Sequence, residues 1–215
     1  MTRGRKRIIQ IGFNRCGTRT LHGFFLRNGI SSVHWERGRI AKQFYARKAA
    51  GEDPFTDYNG SLLRLRRHTV ALTDMQFLDG KVLLEPFKDY EYIHRFYPDA
   101  YYILNTRDRE SWVRSRILHG AGNFLRRYQS YLGGAGVDEV CDVWRRDWDD
   151  HHTKARAFFR DSGARFLDFN IETDDVATIC EFLSPDFGEL DSSEYVAKRS
   201  KPYGSSVEEI TGIAR

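Results

Sequence analysis

Apolar residues along this chain follow two alternating rhythms. Short runs rich in Ile, Val, Tyr and Phe, bounded by Gly, Pro or Asn, predict strands at residues 8–11, 30–34, 69–73, 100–106 and 164–169. Between them, apolar positions three and four apart predict helices at 18–27, 37–50, 89–97, 110–118, 137–160 and 173–183. Asn28-Gly29, Gly51 and Pro98 close the first three helices, and Thr173 is expected to cap the last. Residues 51–60 read as loop, Gly133, Gly134 and Gly136 as a turn, and the polar tail beyond Pro185 as irregular. Strands alternating with helices predict one α/β domain over residues 1–215. Its form is three layers: a mostly parallel central sheet of about five strands with helices on both faces. Ligands of such sheets bind beyond the carboxyl ends of the strands.

The most specific local pattern lies at the first predicted strand end. Residues 8–21 read IIQIGFNRCGTRTL, a strand, a loop bounded by Gly12 and Gly17, and a helix start. Such a loop turns backbone N–H groups and a helix N-terminus toward an anion, a P-loop-like arrangement. A nucleotide-triphosphate loop carries Lys after its second Gly. Thr18 stands there instead, and the positive charge has moved into the loop at Arg15. That substitution argues against a P-loop kinase acting on a small substrate while keeping the anion site.

Residues Asn14, Arg15, Cys16, Gly17, Thr18, Arg19, Thr20 and Leu21 resemble the 5′-phosphosulfate loop of the sulfotransferases that use 3′-phosphoadenosine 5′-phosphosulfate (PAPS). That loop reads roughly Pro-Lys/Arg-Ser/Thr-Gly-Thr-Thr-x-Leu. Here Asn14 replaces Pro, Cys16 the hydroxyl residue and Arg19 the second Thr. Cys16 is a poor side-chain donor. Residues 103–116, ILNTRDRESWVRSR, place Arg107 at a strand end and Ser115 eight positions later, which resembles the 3′-phosphate site of the same superfamily. The plain alternatives are a Gly-rich turn for the first motif, and for the second Arg107 paired with Asp108 or a surface carboxylate.

The resemblance covers residues 8–37 and 100–116 by motif, is architectural over 144–183 and is weak in the tail. It implies transfer of a sulfuryl group from PAPS to a hydroxyl or amine acceptor, with release of adenosine 3′,5′-bisphosphate (PAP) and no metal. It assigns Arg15, Cys16, Gly17, Thr18, Arg19, Thr20, Arg107 and Ser115 to the nucleotide, with Arg15 also catalytic. It leaves the general base open. His34, at the end of the second strand, is the first choice; Asp74, ending the third, is the second, and Glu36 the third. His22, beside the apolar stripe of the first helix, reads as a packed histidine. His151 and His152 lack a third ligand at zinc spacing. Trp144, Trp148, Phe158 and Phe159 recur at helical spacing and are expected in the core. Trp35 reads equally as a stacking platform or as rim packing.

Composition changes this picture little. Of 34 basic residues only eight are Lys, and the net charge is +4 with a pI near 9.0. Arg suits phosphate and sulfate, but acidic runs such as 147–150 break the basic field and argue against a non-catalytic nucleic-acid binder. Three scattered cysteines make no disulfide framework, and no apolar run is long enough to cross a bilayer. The expectations are therefore a soluble cytoplasmic protein with a small-molecule, carbohydrate or peptide acceptor, and neither nucleic acid nor membrane as partner. The basic tail residues Lys198, Arg199 and Lys201 match no motif and are left unassigned.

Overall fold

A computed structural model of the chain describes residues 6–56, 70–196 and 206–212. The elements run β1 (Ile8–Gln10), α1 (Thr18–Arg27), β2 (Ser32–His34), α2 (Arg39–Ala49), β3 (Ala71–Thr73), β4 (Phe77–Leu78) and β5 (Leu83–Leu84). They continue with α3 (Tyr90–Phe96), β6 (Tyr101–Thr106), α4 (Arg109–Ile117), α5 (Asn123–Tyr131), α6 (Val137–Ser162), β7 (Arg165–Asn170), α7 (Ala177–Phe187) and α8 (Val207–Thr211). Five strands form one parallel sheet in the order β2-β3-β1-β6-β7, while β4 and β5 make a small antiparallel hairpin.

The period-two alternation of strand side chains builds the three layers. Ile8, Tyr101, Ile103 and Phe169 face one apolar cluster, where Leu21, Phe24 and Phe25 of α1 meet Ile179 and Leu183 of α7. Ile9, Leu72, Tyr102 and Leu104 face the other, with α2 through α6 contributing Phe44, Ile93, Trp112, Leu125 and Trp144. Burying each such side chain stabilises the fold by roughly 1.5–3 kcal/mol. The chain leaves β1 toward β2 and leaves β6 toward β7. The two loops diverge there, so a crevice opens between the carboxyl ends of β1 and β6.

Every expected strand is present, and Trp144, Trp148 and Phe159 are buried as expected. Thr69, at the start of the third expected strand, lies outside the described residues, as do Lys198, Arg199 and Lys201. Thr173 does not cap the last helix. The Asp174 carboxylate instead closes a turn on the Asn170 N–H at 2.8 Å, and α7 starts at Ala177. That helix runs through Pro185, whose ring displaces the bond to the Glu181 carbonyl; Ser184 Oγ donates to that carbonyl at 2.9 Å. The tail is not wholly irregular, since Ser206 and Glu209 form a capping box at the start of α8. Helix α5 and the β4–β5 hairpin were not anticipated; glycines on both sides of α5 make its sequence read as a flexible stretch.

His151 and His152 sit inside α6 as buried neutral bases. His151 Nε2 donates to the Ile11 carbonyl at 2.7 Å and its ring stands edge-on to Phe13, so it braces the strand that leads into the loop. Burial pushes its pKa down to about 3 and that of His152 to about 4. Unfolded imidazoles titrate near pH 6.5, so between about pH 4 and 6.5 the unfolded state binds more protons. Stability should therefore fall as pH drops through that window, by ~1.4 kcal/mol per pH unit for each of the two groups. Asp74, raised by burial to about 6, opposes this with one proton below that pH. Urea unfolding should give a lower midpoint at pH 5 than at pH 7, with the difference reduced in His151→Asn. Equal midpoints at both pH values would show that these histidines do not set the acid limit.

Candidate functional site

Two buried amides organise the carboxyl edge of the sheet. Gln10 ends β1 with its side chain fully buried. Its Nε2 donates to the Gly12 carbonyl at 2.5 Å and to Asn105 Oδ1 at 2.6 Å, while its Oε1 accepts the Asp74 N–H at 2.8 Å. Asn105 Nδ2 in turn donates to the Cys16 carbonyl. One lattice thus joins β1, β6, the end of β3 and the far side of the loop. Gly12 is required at the crossing, because a Cβ there would lie 2.1 Å from the Asn105 carbonyl oxygen.

The loop between Gly12 and Thr18 turns through two left-handed residues, Arg15 (φ 68°) and Gly17 (φ 76°). This backbone form gathers successive N–H groups around a concavity. Gly17 caps α1 without any side-chain hydrogen bond, so the positive helix end faces the crevice. Thr18 and Thr20 are tucked in at the first turn and Arg19 is exposed. Cys16 departs from the sequence reading in one respect. Its side chain is fully buried in the core, and burial raises the thiol far above its ordinary range, so only its backbone can meet a ligand.

Helix α4 supports the loop from below. Trp112 Nε1 donates to the Asn14 carbonyl at 3.0 Å, and Arg116 Nε to Asn14 Oδ1 at 3.1 Å. Arg116 is fully buried and its Nη1 has no hydrogen-bond partner. Its guanidinium is instead enclosed by rings: Trp112 lies 4.3 Å away, Phe124 5.0 Å and Trp144 5.1 Å. Cation–π attraction offsets part of the cost of burying that charge.

The two anion motifs meet at Arg15. Its Nε donates to Ser115 Oγ at 3.0 Å, and its carbonyl accepts Arg107 Nη1 at 3.4 Å. Arg107 also pairs with a surface carboxylate, Glu172, through Nη2 at 2.5 Å, and its buried Nε has no partner. The structure therefore brings Arg15, Arg107 and Ser115 together, with both arginines engaged by protein groups. Residues that present backbone donors and an orphaned guanidinium N–H fit a phosphorylated ligand.

His34 and Asp74 end the neighbouring strands β2 and β3 and face each other, Nε2 to Oδ2, at 3.6 Å, each side chain 17% exposed. Thr73 donates its hydroxyl proton to the Val33 carbonyl at 2.9 Å. The Thr73 oxygen can then only accept from His34 Nδ1 at 3.2 Å. This fixes the proton on Nδ1 and makes Nε2 the basic nitrogen, turned toward Asp74. Burial raises the Asp74 carboxyl to about 6, against the pull of Arg116 and Arg15. The 3.6 Å approach of Nε2 to Oδ2 leaves room for one proton between the two groups.

The turn after His34 is strained. Trp35, Glu36 and Arg37 all have positive φ, at 56°, 43° and 55°, before Gly38 enters α2. Left-handed backbone costs roughly 1–2 kcal/mol per residue. Trp35, 45% exposed, makes no ring–ring contact among the described residues. Glu36 lies on this turn, two residues beyond the dyad's His34. His22 is not simply packed: it stacks on His34 with ring centroids 5.4 Å apart and bonds Ser32 Oγ at 2.8 Å.

Sequence reasoning missed Gln10, Asn105, Arg116 and Glu172. The first two carried a signal, a lone amide inside an apolar strand (IIQIG and YYILNT), which calls for a buried partner. Arg116 and Glu172 carried none, since a helical Arg and a loop Glu are ordinarily solvated.

A family model described as a sulfotransferase domain matches residues 7–119, more than half of the chain. The chain belongs to that family. The match spans β1 through α4, the elements that carry the phosphate loop, the His34–Asp74 pair, Arg107 and Ser115. No curated protein matches the chain. Among the described residues no group of three His, Cys, Asp or Glu is placed to hold a metal ion, and no helix is long and apolar enough to cross a membrane.

Asn105→Ala tests the amide lattice. It removes the partner of the Cys16 carbonyl, at a cost of about 1–3 kcal/mol for a buried group left unpaired, and leaves Gln10 Nε2 with the Gly12 carbonyl alone. The expected result is a drop in thermal stability together with loss of anion binding at the loop. A variant that keeps the wild-type midpoint would show that the lattice is dispensable.

Proposed function

We propose that this sulfotransferase-family chain transfers the sulfuryl group of PAPS to a hydroxyl or amine acceptor and releases PAP. The observation that carries the reading is the layout of one sheet edge. A lysine-free phosphate loop meets Arg107 and Ser115 at β1 and β6, and the His34–Asp74 pair stands at the adjoining ends of β2 and β3. The nucleotide is held by the backbone of Cys16 and Gly17, by Thr18, Arg19 and Thr20 at the start of α1, and by Arg15, Arg107 and Ser115. The acceptor enters from the side of His34. We place the protein in the cytoplasm on its free cysteines, and take a small molecule, a carbohydrate or a peptide as the acceptor class.

In the step itself the acceptor oxygen or nitrogen attacks sulfur. A bond from acceptor to sulfur forms, and the bond from sulfur to the 5′-phosphate oxygen breaks with its electron pair left on phosphate. The acceptor's proton passes to the His34–Asp74 pair. Charge growing on the leaving phosphate faces the loop N–H groups, the N-terminus of α1 and Arg15, a preorganised set that needs no rearrangement in the transition state. The reading calls for no metal ion.

PAP should raise the melting temperature more than AMP or ATP does, with a stabilisation of about 2.7 kcal/mol at a hundredfold excess over its Kd. No shift at millimolar PAP removes the nucleotide assignment, and a larger shift with ATP would restore the kinase alternative.

His34→Ala should lower kcat by about 10²–10⁴-fold while leaving PAP affinity nearly unchanged. In the wild type kcat should fall as pH drops through about 6, where the Asp74 carboxyl takes up its proton and the pair can accept no more. Asp74→Asn should displace that limb. Near-full turnover by His34→Ala over the whole pH range would mean that another group is the base.

A further inference from the structure

Glu172 occupies a cradle built for an anion. Its Oε1 accepts Arg107 Nη2 at 2.5 Å and its Oε2 accepts the Asp108 backbone N–H at 3.0 Å. Asp108 is the residue that caps α4, so the second donor sits at a helix start. A guanidinium and a helix-end amide are the pair of donors a phosphate takes. The carboxylate, with two oxygens and one charge, stands in for such a group from within the chain. The cradle has spare capacity: Arg107 Nε is buried without a partner.

The backbone under Glu172 is fixed. Ile171 N–H donates to the Thr106 carbonyl at 3.0 Å, Glu172 N–H to Asn170 Oδ1 at 3.0 Å, and the Asn170–Asp174 turn is closed from both ends. The Ile171 side chain packs on Gly17, where an added Cβ would lie 3.2 Å away. The loop therefore stays docked on the phosphate loop, and the Glu172 side chain, 35% exposed, is the part able to swing into solvent. A dianionic phosphate and this carboxylate cannot share one guanidinium and one N–H, because like charges at contact repel strongly.

Building on the nucleotide reading above, we infer that Glu172 is an intramolecular competitor of the donor's 3′-phosphate. Its carboxylate fills the Arg107–Asp108 cradle when no nucleotide is bound and leaves when the 3′-phosphate arrives. The free energy of the 3′-phosphate is then net of releasing Glu172, which weakens the hold on PAP and eases its departure after transfer.

The test is calorimetric titration of PAP and of AMP, which lacks the 3′-phosphate, into the full chain and its variants. Glu172→Gln keeps the shape and an acceptor for Asp108 N–H but removes the charge. It should bind PAP roughly two- to fivefold more tightly, a range set by a partly exposed ion pair, with AMP affinity unchanged. In an Arg107→Ala background the same change should give no gain. Glu172→Ala should match Glu172→Gln in direction, which separates charge from side-chain shape. If PAP outbinds AMP in the wild type but Glu172→Gln leaves PAP affinity equal or lower, Glu172 merely supports Arg107 and the inference fails while the nucleotide reading stands. If PAP and AMP bind alike in the wild type and in Glu172→Gln, there is no 3′-phosphate site here, and both fail.

Discussion

The site depends on the hydrogen bonds of two buried amides. Gln10 and Asn105 occupy positions that the strand pattern reserves for apolar side chains, and each would cost free energy there if left unpaired. Their only economical arrangement is mutual: Gln10 to Asn105, Asn105 to the Cys16 carbonyl, and Gln10 to Gly12 and to the Asp74 N–H. That geometry fixes the width of the phosphate loop from both sides. It also ties the backbone of Asp74 to the end of β1, so the loop and the end of β3 are held by one network. Gly12 follows from the same constraint, since no side chain fits between β1 and the Asn105 carbonyl.

A second constraint comes from below. Arg116 carries a full charge into the core, enclosed by Trp112, Phe124, Tyr128 and Trp144 and bonded to Asn14. Its Nη2 reaches Gln76 at 3.5 Å, and Gln76 donates to Glu85 at 2.7 Å. Glu85 pairs with Lys88, which pairs with Asp147 of α6. The charge is therefore compensated at a distance through a chain of polar groups running under the site. Removing one member of such a chain leaves the others buried and uncompensated, which costs more than the chain contributes when intact. The positive potential that Arg116 places beneath the loop acts on Asp74, where it opposes the effect of burial.

Much of this was legible in the chain because strand ends and glycines are written locally. The expected helix at residues 18–27 coincides with α1, and His34, Asp74 and Arg107 each stand at a strand's carboxyl end, as the periodicity required. What was not legible is pairing across the sheet. His34 and Asp74 read as rival bases because nothing in sequence says that β2 and β3 are neighbours in register, with His34 opposite Thr73. Cys16 read as a ligand because the loop pattern gives positions and not the direction a side chain points; inside a tight turn alternate residues must face the core. Thr173 read as a cap because an acidic first turn follows it, yet Asp174 closes the Asn170 turn and Asp175 accepts the Ala177 N–H at the start of α7. His22 read as packing because its helical stripe is visible and its stacking on a neighbouring strand is not.

The electrostatic asymmetry along the edge connects these parts. At β1 and β6 two arginines and the N-terminus of α1 gather positive potential, which favours an anion. At β2 and β3 a carboxylate and an imidazole face each other, with the imidazole tautomer fixed by Thr73. Had the loop carried a lysine, its flexible point charge would sit where a γ-phosphate needs it. With Thr18 in that place, the charge is held by Arg15 in a left-handed backbone conformation that costs free energy and aims the side chain at Ser115. Positive charge is thereby moved from the helix start to the loop's outer wall. The loop's outer wall thus carries Arg15 and Arg107 side by side, and the helix start behind it keeps the turned backbone of Arg15 and Gly17.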